Sequence, residues 1–384
     1  MDQRTARETG APAGRPPGTW RIGQIGGVDV LVRSSWLLVA ALIAVLLAPR
    51  VEQVQPGLGG GKYVAGLAFA VLLYLSVLLH EMSHALMAKR YGLPVRSITL
   101  HFLGGVTEIE GEPDTPRREF GVSVVGPLTS IAVGLAFLAL WFVARPEGLL
   151  GLAVEALAGA NLIVGVLNLV PGLPLDGGRV LRAAVWKATG SPYRGTVVAG
   201  WGGRVVALLV LSWPLLQPVL LDRPADIVDY VLVFVIATFL WGGASAAIVQ
   251  ARVRRKLPAL QARRLARRAI AVPRDLPLSE AVRRAQEQQA GSLVVLDQHA
   301  RPSGIVNEAA VLATPEDRRP WIAVETVART IEPGLMLPAD SGGESMIRAM
   351  QRTPATEYLL LEPDGRVFGV LVADDVDRAF AATR

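Results

Sequence analysis

The sequence predicts a polytopic α-helical membrane protein of about six transmembrane helices, followed by a C-terminal cytosolic α/β domain. Three observations carry that prediction. The 384 residues are 51% hydrophobic, with a mean hydropathy of +0.39, high for a soluble chain and ordinary for one with several spans. Six apolar runs in the first 250 residues approach or exceed the length that crosses a bilayer. From about Ala269 the long runs stop, and short β-branched strands alternate with polar helical stretches.

Composition removes several functions. The net charge of +6 is carried by arginines that flank apolar segments, which fits membrane topology and argues against a nucleic-acid partner. There is no cysteine, so disulfides and thiolate sites are excluded and redox does not decide the compartment. Residues 1–24 are polar and rich in Pro and Gly, a composition that predicts disorder. The first apolar run starts only after Trp36, too late for a cleavable signal.

The six predicted spans are residues 35–48, 63–87, 120–144, 149–170, 197–221 and 227–249. The first is short and its start could reach Val30; the fifth carries Arg204 and two prolines. Arg4, Arg7, Arg15, Arg21 and Arg33 precede the first span, and Lys89, Arg90, Arg96, Arg117 and Arg118 follow the second. Arg179, Arg182, Lys187 and Arg194 follow the fourth, and ARVRRKLPALQARRLARR follows the sixth. All these loops fall on one side, so the positive-inside rule places both termini in the cytoplasm. Residues 251–268 read as a basic juxtamembrane linker on anionic lipid. The glycine-rich stretch from Gly57 to Lys62 lacks the second half of a phosphate-loop motif and reads as a loop on the opposite side.

The second span ends in His80-Glu81-Met82-Ser83-His84. On a helix, positions i and i+4 share a face, so both imidazoles can address one metal ion. Glu81 lies beside that face, within reach of a water that the metal activates, as a general base. Ionisable groups at membrane depth are costly and mark functional sites. The following segment, residues 95–113, alternates as SITLHFL, turns at Gly104-Gly105 and continues VTEIE, which predicts a β-hairpin. Its edge could pair with an extended chain; His101 within it reads as a structural or interfacial histidine. After the fourth span, NLVPGLPLDGGR stops the helix at two prolines. Asp176 then emerges at the predicted depth of the histidines, completing a His₂Asp set with one position left for water.

HEMSH followed by NLVPGLPLDGGR resembles the site-2 protease family of intramembrane zinc metalloproteases (peptidase M50), and most of all its bacterial branch that processes a sporulation pro-sigma precursor. The resemblance covers about residues 25–250. It implies one zinc per chain, bound by His80, His84 and Asp176, with Glu81 activating water in the bacterial inner membrane. It also implies that Asn168 lies near the metal to hold substrate or oxyanion. Gly104 and Gly105, with Pro174, would contact a transmembrane substrate, an anti-sigma factor or a pro-sigma-like protein. Many relatives carry a PDZ domain between core spans, and no insertion here is long enough for one.

Residues 269–384 contain two copies of helix, strand, turn, strand, helix. SLVVLD with SGIVNEAAVL forms one and EYLLLEPDGRVFGVLVADDVDRAF the other, spaced by about 65 residues. They resemble a tandem CBS pair, which implies regulation, self-association and, in many members, adenine-nucleotide binding. Here Val372 stands where the resemblance expects Thr, which leaves Asp375 as the candidate nucleotide contact; a regulatory module without a small ligand is the competing reading. His299 reads as solvated surface. The alternatives for the whole chain are a CBS-regulated transporter or channel, which predicts charges lining several spans, and an inactive scaffold, which predicts a damaged ligand set.

Overall fold

Uninterrupted Leu, Val and Ala give the first part of the chain its helices, because such side chains lose little on helix formation and tolerate lipid on every side. The computed structural model of the protein describes residues 18–102, 104–222, 224–306 and 308–382. The chain divides into two compact units, Met1–Val249 and Gln250–Arg384.

The first unit opens with a hairpin of β1 (Thr19–Ile25) and β2 (Val28–Arg33), turned by Gly26 and Gly27 at positive φ. α1 (Trp36–Val54) and α2 (Gly61–Arg90) follow, then β3 (Val95–His101) and β4 (Gly104–Ile109). After them come α3 (Pro116–Ala144), α4 (Gly148–Asn168), α5 (Asp176–Thr189), α6 (Pro192–Leu221) and α7 (Ile227–Lys256). Among the described residues, α1, α2, α3, α4, α6 and α7 are the six helices long and apolar enough to cross a membrane. α3 packs against α2, α4 and α5, and α5 also packs against α6.

Three expectations change here. Residues 19–24, read as disordered, are most of a strand, and the first span starts at Trp36 because Val28–Arg33 is strand as well; residues 1–17 lie outside the described residues. The predicted hairpin of residues 95–113 is half of a four-stranded sheet of order β1-β2-β3-β4, in which β2 and β3 run parallel with Val30 opposite Ile98. That pairing joins strands separated by two long helices, so no local pattern announces it. Finally, Gly61 and Lys62 are not loop but the first turn of α2. The sheet has a purpose in the fold: Val28 and Ile98 pack on Met82 and Ala85 of α2, so it braces the turn that carries the histidines.

In the second unit α7 continues to Lys256, and α8 (Ala262–Leu265) precedes β5 (Arg267–Pro273). The chain proceeds through α9 (Leu278–Glu287), β6 (Ser292–Leu296), β7 (Pro302–Val306), α10 (Glu308–Ala313), β8 (Arg329–Thr330) and β9 (Met336–Pro338). It ends with α11 (Gly343–Arg352), β10 (Glu357–Leu361), β11 (Val367–Val372) and α12 (Ala373–Ala382). Corresponding elements start 65 residues apart: 292 and 357 for β6 and β10, 302 and 367 for β7 and β11. The strands form one sheet of order β8-β7-β6-β5-β11-β10-β9, so the copies meet where β5 pairs with β11. The basic stretch 251–268 is not a free surface helix: Leu260 and Ala262 are buried in the core around Tyr358 and Leu371.

Candidate metal centre

His80 and His84 are buried on one face of α2, and Asp176 is the first residue of α5. His80 Nε2 lies 3.1 Å from Asp176 Oδ2, His84 Nε2 lies 3.2 Å from the same oxygen, and the two Nε2 atoms are 3.2 Å apart. These three are the group among the described residues whose donor atoms could share a metal ion. A tetrahedral zinc with bonds of about 2.0–2.1 Å sets its ligand atoms about 3.3 Å apart. The near-equilateral triangle therefore has the size zinc demands.

The other ring nitrogens are also engaged. His84 Nδ1 donates to the Val122 carbonyl at 2.6 Å, and His80 Nδ1 lies 2.9 Å from Ser130 Oγ. With Nδ1–H donated to a carbonyl, His84 Nε2 keeps its lone pair for an ion, the usual arrangement of a ligating histidine, and the Ser130 hydroxyl can take the same proton from His80. Val122, Gly126 and Ser130 are spaced by four on the buried face of α3. A methyl at Gly126 would sit 2.2 Å from His84 Nε2 and 2.7 Å from His80 Nε2, so that position admits no side chain.

Glu81 is buried on the same turn. Thr107 of β4 donates to its Oε2 at 2.6 Å, and a Cβ at Gly105 would meet Glu81 Cγ at 2.3 Å. The strand that the sequence suggested as a substrate edge thus also fixes the glutamate. Gly104 starts β4 at a φ of +124°, a conformation glycine adopts without strain. Pro174 packs against α7, where its ring would touch a side chain at Gly243.

Gly177 and Gly178 lie within the first turn of α5. A Cβ on either would strike the backbone of Leu169 or Leu173 at 2.4 or 2.2 Å, so the pair lets the helix start against the preceding loop. Asn168 is the last residue of α4 and half-buried, outside the ligand triangle. Asn161, two turns earlier and buried, hydrogen-bonds Ser76 of α2, one turn before His80. His101 offers its carbonyl to Tyr74 and is not part of the triangle. Arg204 hydrogen-bonds Ser245 and stacks on Trp201 and Trp241. Sequence reasoning missed Ser130, Gly126 and Thr107; the small-residue spacing in SVVGPLTS was the available signal for the first two.

In the second unit Asp375 is tied to Arg267 through contacts of 2.7 and 3.1 Å, and also to Arg378. The Arg267 hydrogen bond holds its carboxyl below the usual range. His299 is exposed in its turn, its backbone N–H donating to Asp297.

Residues 68–151 and 147–212 match the model of peptidase family M50. The chain carries a metalloprotease domain of peptidase family M50. The chain is 38% identical over 199 residues to Rip3 of Mycobacterium tuberculosis, which is named as a zinc metalloprotease, covering 50% of each chain. The protein sll0528 of Synechocystis, named likewise, is 27% identical and aligns over 91% of this chain and 92% of its own. A shorter stretch, 110 residues at 36% identity, matches stage IV sporulation protein FB of Bacillus subtilis, covering 28% of this chain and 37% of that one. Among solved structures, a site-2 protease from Methanocaldococcus jannaschii covers 60% of this chain and 95% of its own, at 24% identity and a TM-score of 0.41. The CBS-domain protein TA0289 of Thermoplasma acidophilum covers 32% and 72%, at 16% identity and a TM-score of 0.26. The chain is thus a multi-pass membrane protein with an M50 domain, and its C-terminal unit resembles a CBS pair in its duplicated order of strands and helices.

Proposed function

We propose that this M50 metalloprotease hydrolyses peptide bonds of transmembrane proteins near the cytoplasmic face of a bacterial inner membrane. The observation that carries the reading is the triangle of buried His80 and His84 with partly buried Asp176, its edges 3.1 to 3.2 Å. These residues would hold one zinc. When bound, zinc supplies a Lewis acid that lowers the pKa of water and polarises a carbonyl.

The protein's own groups do the rest. Glu81, with Oε2 held by Thr107, takes a proton at Oε1 from the attacking water and delivers it to the leaving amine. Asn168 at the end of α4 is assigned to hold the substrate carbonyl. A helical substrate must unwind to present that carbonyl, and the outer edge of β4 from Gly104 and Gly105 offers backbone partners to the unwound strand. Pro174 lines the approach between α5 and α7. The substrate class includes a pro-sigma-like protein or an anti-sigma factor, by analogy with the sporulation relative. Both termini are cytoplasmic in this reading, with the CBS-like unit acting as regulator and as a homo-oligomer contact. A nucleotide reaching Asp375 has to displace a guanidinium, which favours regulation without a nucleotide.

The test is zinc content of the detergent-purified protein, wild type against Glu81→Gln, with cleavage of a panel of single-span substrates. About one zinc in each and cleavage by wild type alone is the expected result. A wild type that holds no zinc after metal is restored sinks the reading and brings forward a CBS-regulated transporter.

A further inference from the structure

Glu119 is fully buried in the first turn of α3, an unusual place for a carboxylate without a catalytic task. Arg182 donates to its Oε1 at 3.0 Å, and Arg179 Nε lies 3.6 Å from the same atom. Both arginines belong to α5, three and six residues beyond Asp176, so one oxygen grips the helix that opens with the acidic ligand. Arg182 also donates to Glu112 at 2.9 Å, which ties the end of the hairpin segment to the same helix. Glu119 Oε2 and Arg182 Nε are buried without a hydrogen-bond partner among the described residues, so the network is held by few contacts and each matters.

The rest of α3 gives this grip its meaning. Glu119, Val122, Gly126 and Ser130 form one buried stripe. Val122 holds His84, Ser130 holds His80, and Gly126 leaves the space between the two rings. The histidines come from α2 and the aspartate from α5, on different segments of the chain, and α3 touches both groups.

We propose that Glu119 is a positioning residue for the third ligand: through Arg182 and Arg179 it docks α5 on α3 and sets Asp176 against His80 and His84. The inference rests on the zinc reading above. Glu119 itself lies outside the triangle and touches no ligand atom.

The experiment measures zinc affinity of the full-length protein by chelator competition, and the visible d–d absorption of its cobalt-substituted form, for wild type, Glu119→Gln and Arg182→Lys. The cobalt spectrum reports ligand geometry, which a general loss of stability in a folded protein leaves unmoved. Glu119→Gln is expected to bind zinc about 10–100-fold more weakly, with a weakened tetrahedral cobalt band. Arg182→Lys, a point charge that cannot bridge Glu112 and Glu119 as a fork does, is expected to show a smaller loss in the same direction. Should Glu119→Gln fail to fold, Arg182→Lys decides. Wild-type affinity and spectrum in the folded variants overturn the proposal while leaving the zinc site standing. Absence of metal from wild type overturns the zinc reading instead.

Discussion

At His80 and His84 the side chains that complete the site come from outside the motif. On α3 the Val122 carbonyl fixes the tautomer of His84 and the Ser130 hydroxyl bonds His80, and a hydroxyl on β4 fixes Glu81. Ser130→Ala removes the hydrogen-bond partner behind His80, and zinc affinity is expected to fall about 10–100-fold, read by chelator competition. Thr107→Val keeps the shape of the side chain but leaves the carboxylate without its donor. Metal content should stay at the wild-type level while turnover falls by about 10²-fold, since a positioned general base contributes about 10²–10⁴-fold. Loss of zinc from Thr107→Val would show that the strand supports the ligands and not the base. Of these residues only the motif itself was legible in the sequence. Ser130 and Thr107 are ordinary helix and strand residues until the backbone brings them within 2.9 and 2.6 Å of their partners.

At the scale of elements, the interfaces around the site are made by glycines that permit close approach. Gly126 on α3 faces both ring nitrogens, and a methyl there would occupy the space the ion needs. Gly126→Ala is therefore expected to abolish zinc binding while leaving helix content unchanged by circular dichroism, since alanine favours a helix more than glycine does. Retention of zinc in that variant would mean that α3 shifts readily against α2. The NLVPGLPLDGGR segment could be read as a helix stop and the source of an aspartate. That the aspartate starts a new amphipathic helix was hidden, because Gly177 and Gly178 are poor helix formers and act here through contact with the preceding loop.

The two units differ as whole bodies in what holds them. The first is a helical bundle with apolar side chains exposed along every long helix, as lipid requires. The second has buried cores beneath one sheet and a surface laced with arginine–carboxylate pairs. Glu280, bonded to Arg283 and Arg284, is lowered to about 2, and Arg263 and Arg267 lower Glu362 and Asp375. A carboxylate depressed in the folded state contributes stability above its unfolded pKa, near 4, and loses it as pH falls through the folded value. The protection of backbone amides across residues 267–382 in the intact protein, taken relative to their intrinsic exchange at each pH, is therefore expected to fall steadily between about pH 4 and pH 2. Because these groups lie at the surface, the effect should shrink in high salt. Protection independent of pH in that window would remove the ion pairs as a source of stability.

The sequence by itself determined the six spans, the metal-binding pattern with its glutamate, the aspartate eight residues beyond Asn168, and the duplicated second unit. Each is written in a local signal: an apolar length, a four-residue spacing, a helix stop, a repeat. Only the tertiary structure decided that β1 and β2 complete a sheet with the hairpin, that α3 orients both histidines, and that Asp375 is already paired. Those facts depend on segments far apart in the chain meeting at hydrogen-bond distance. No periodicity within one segment encodes that distance, because packing of the other helices sets it.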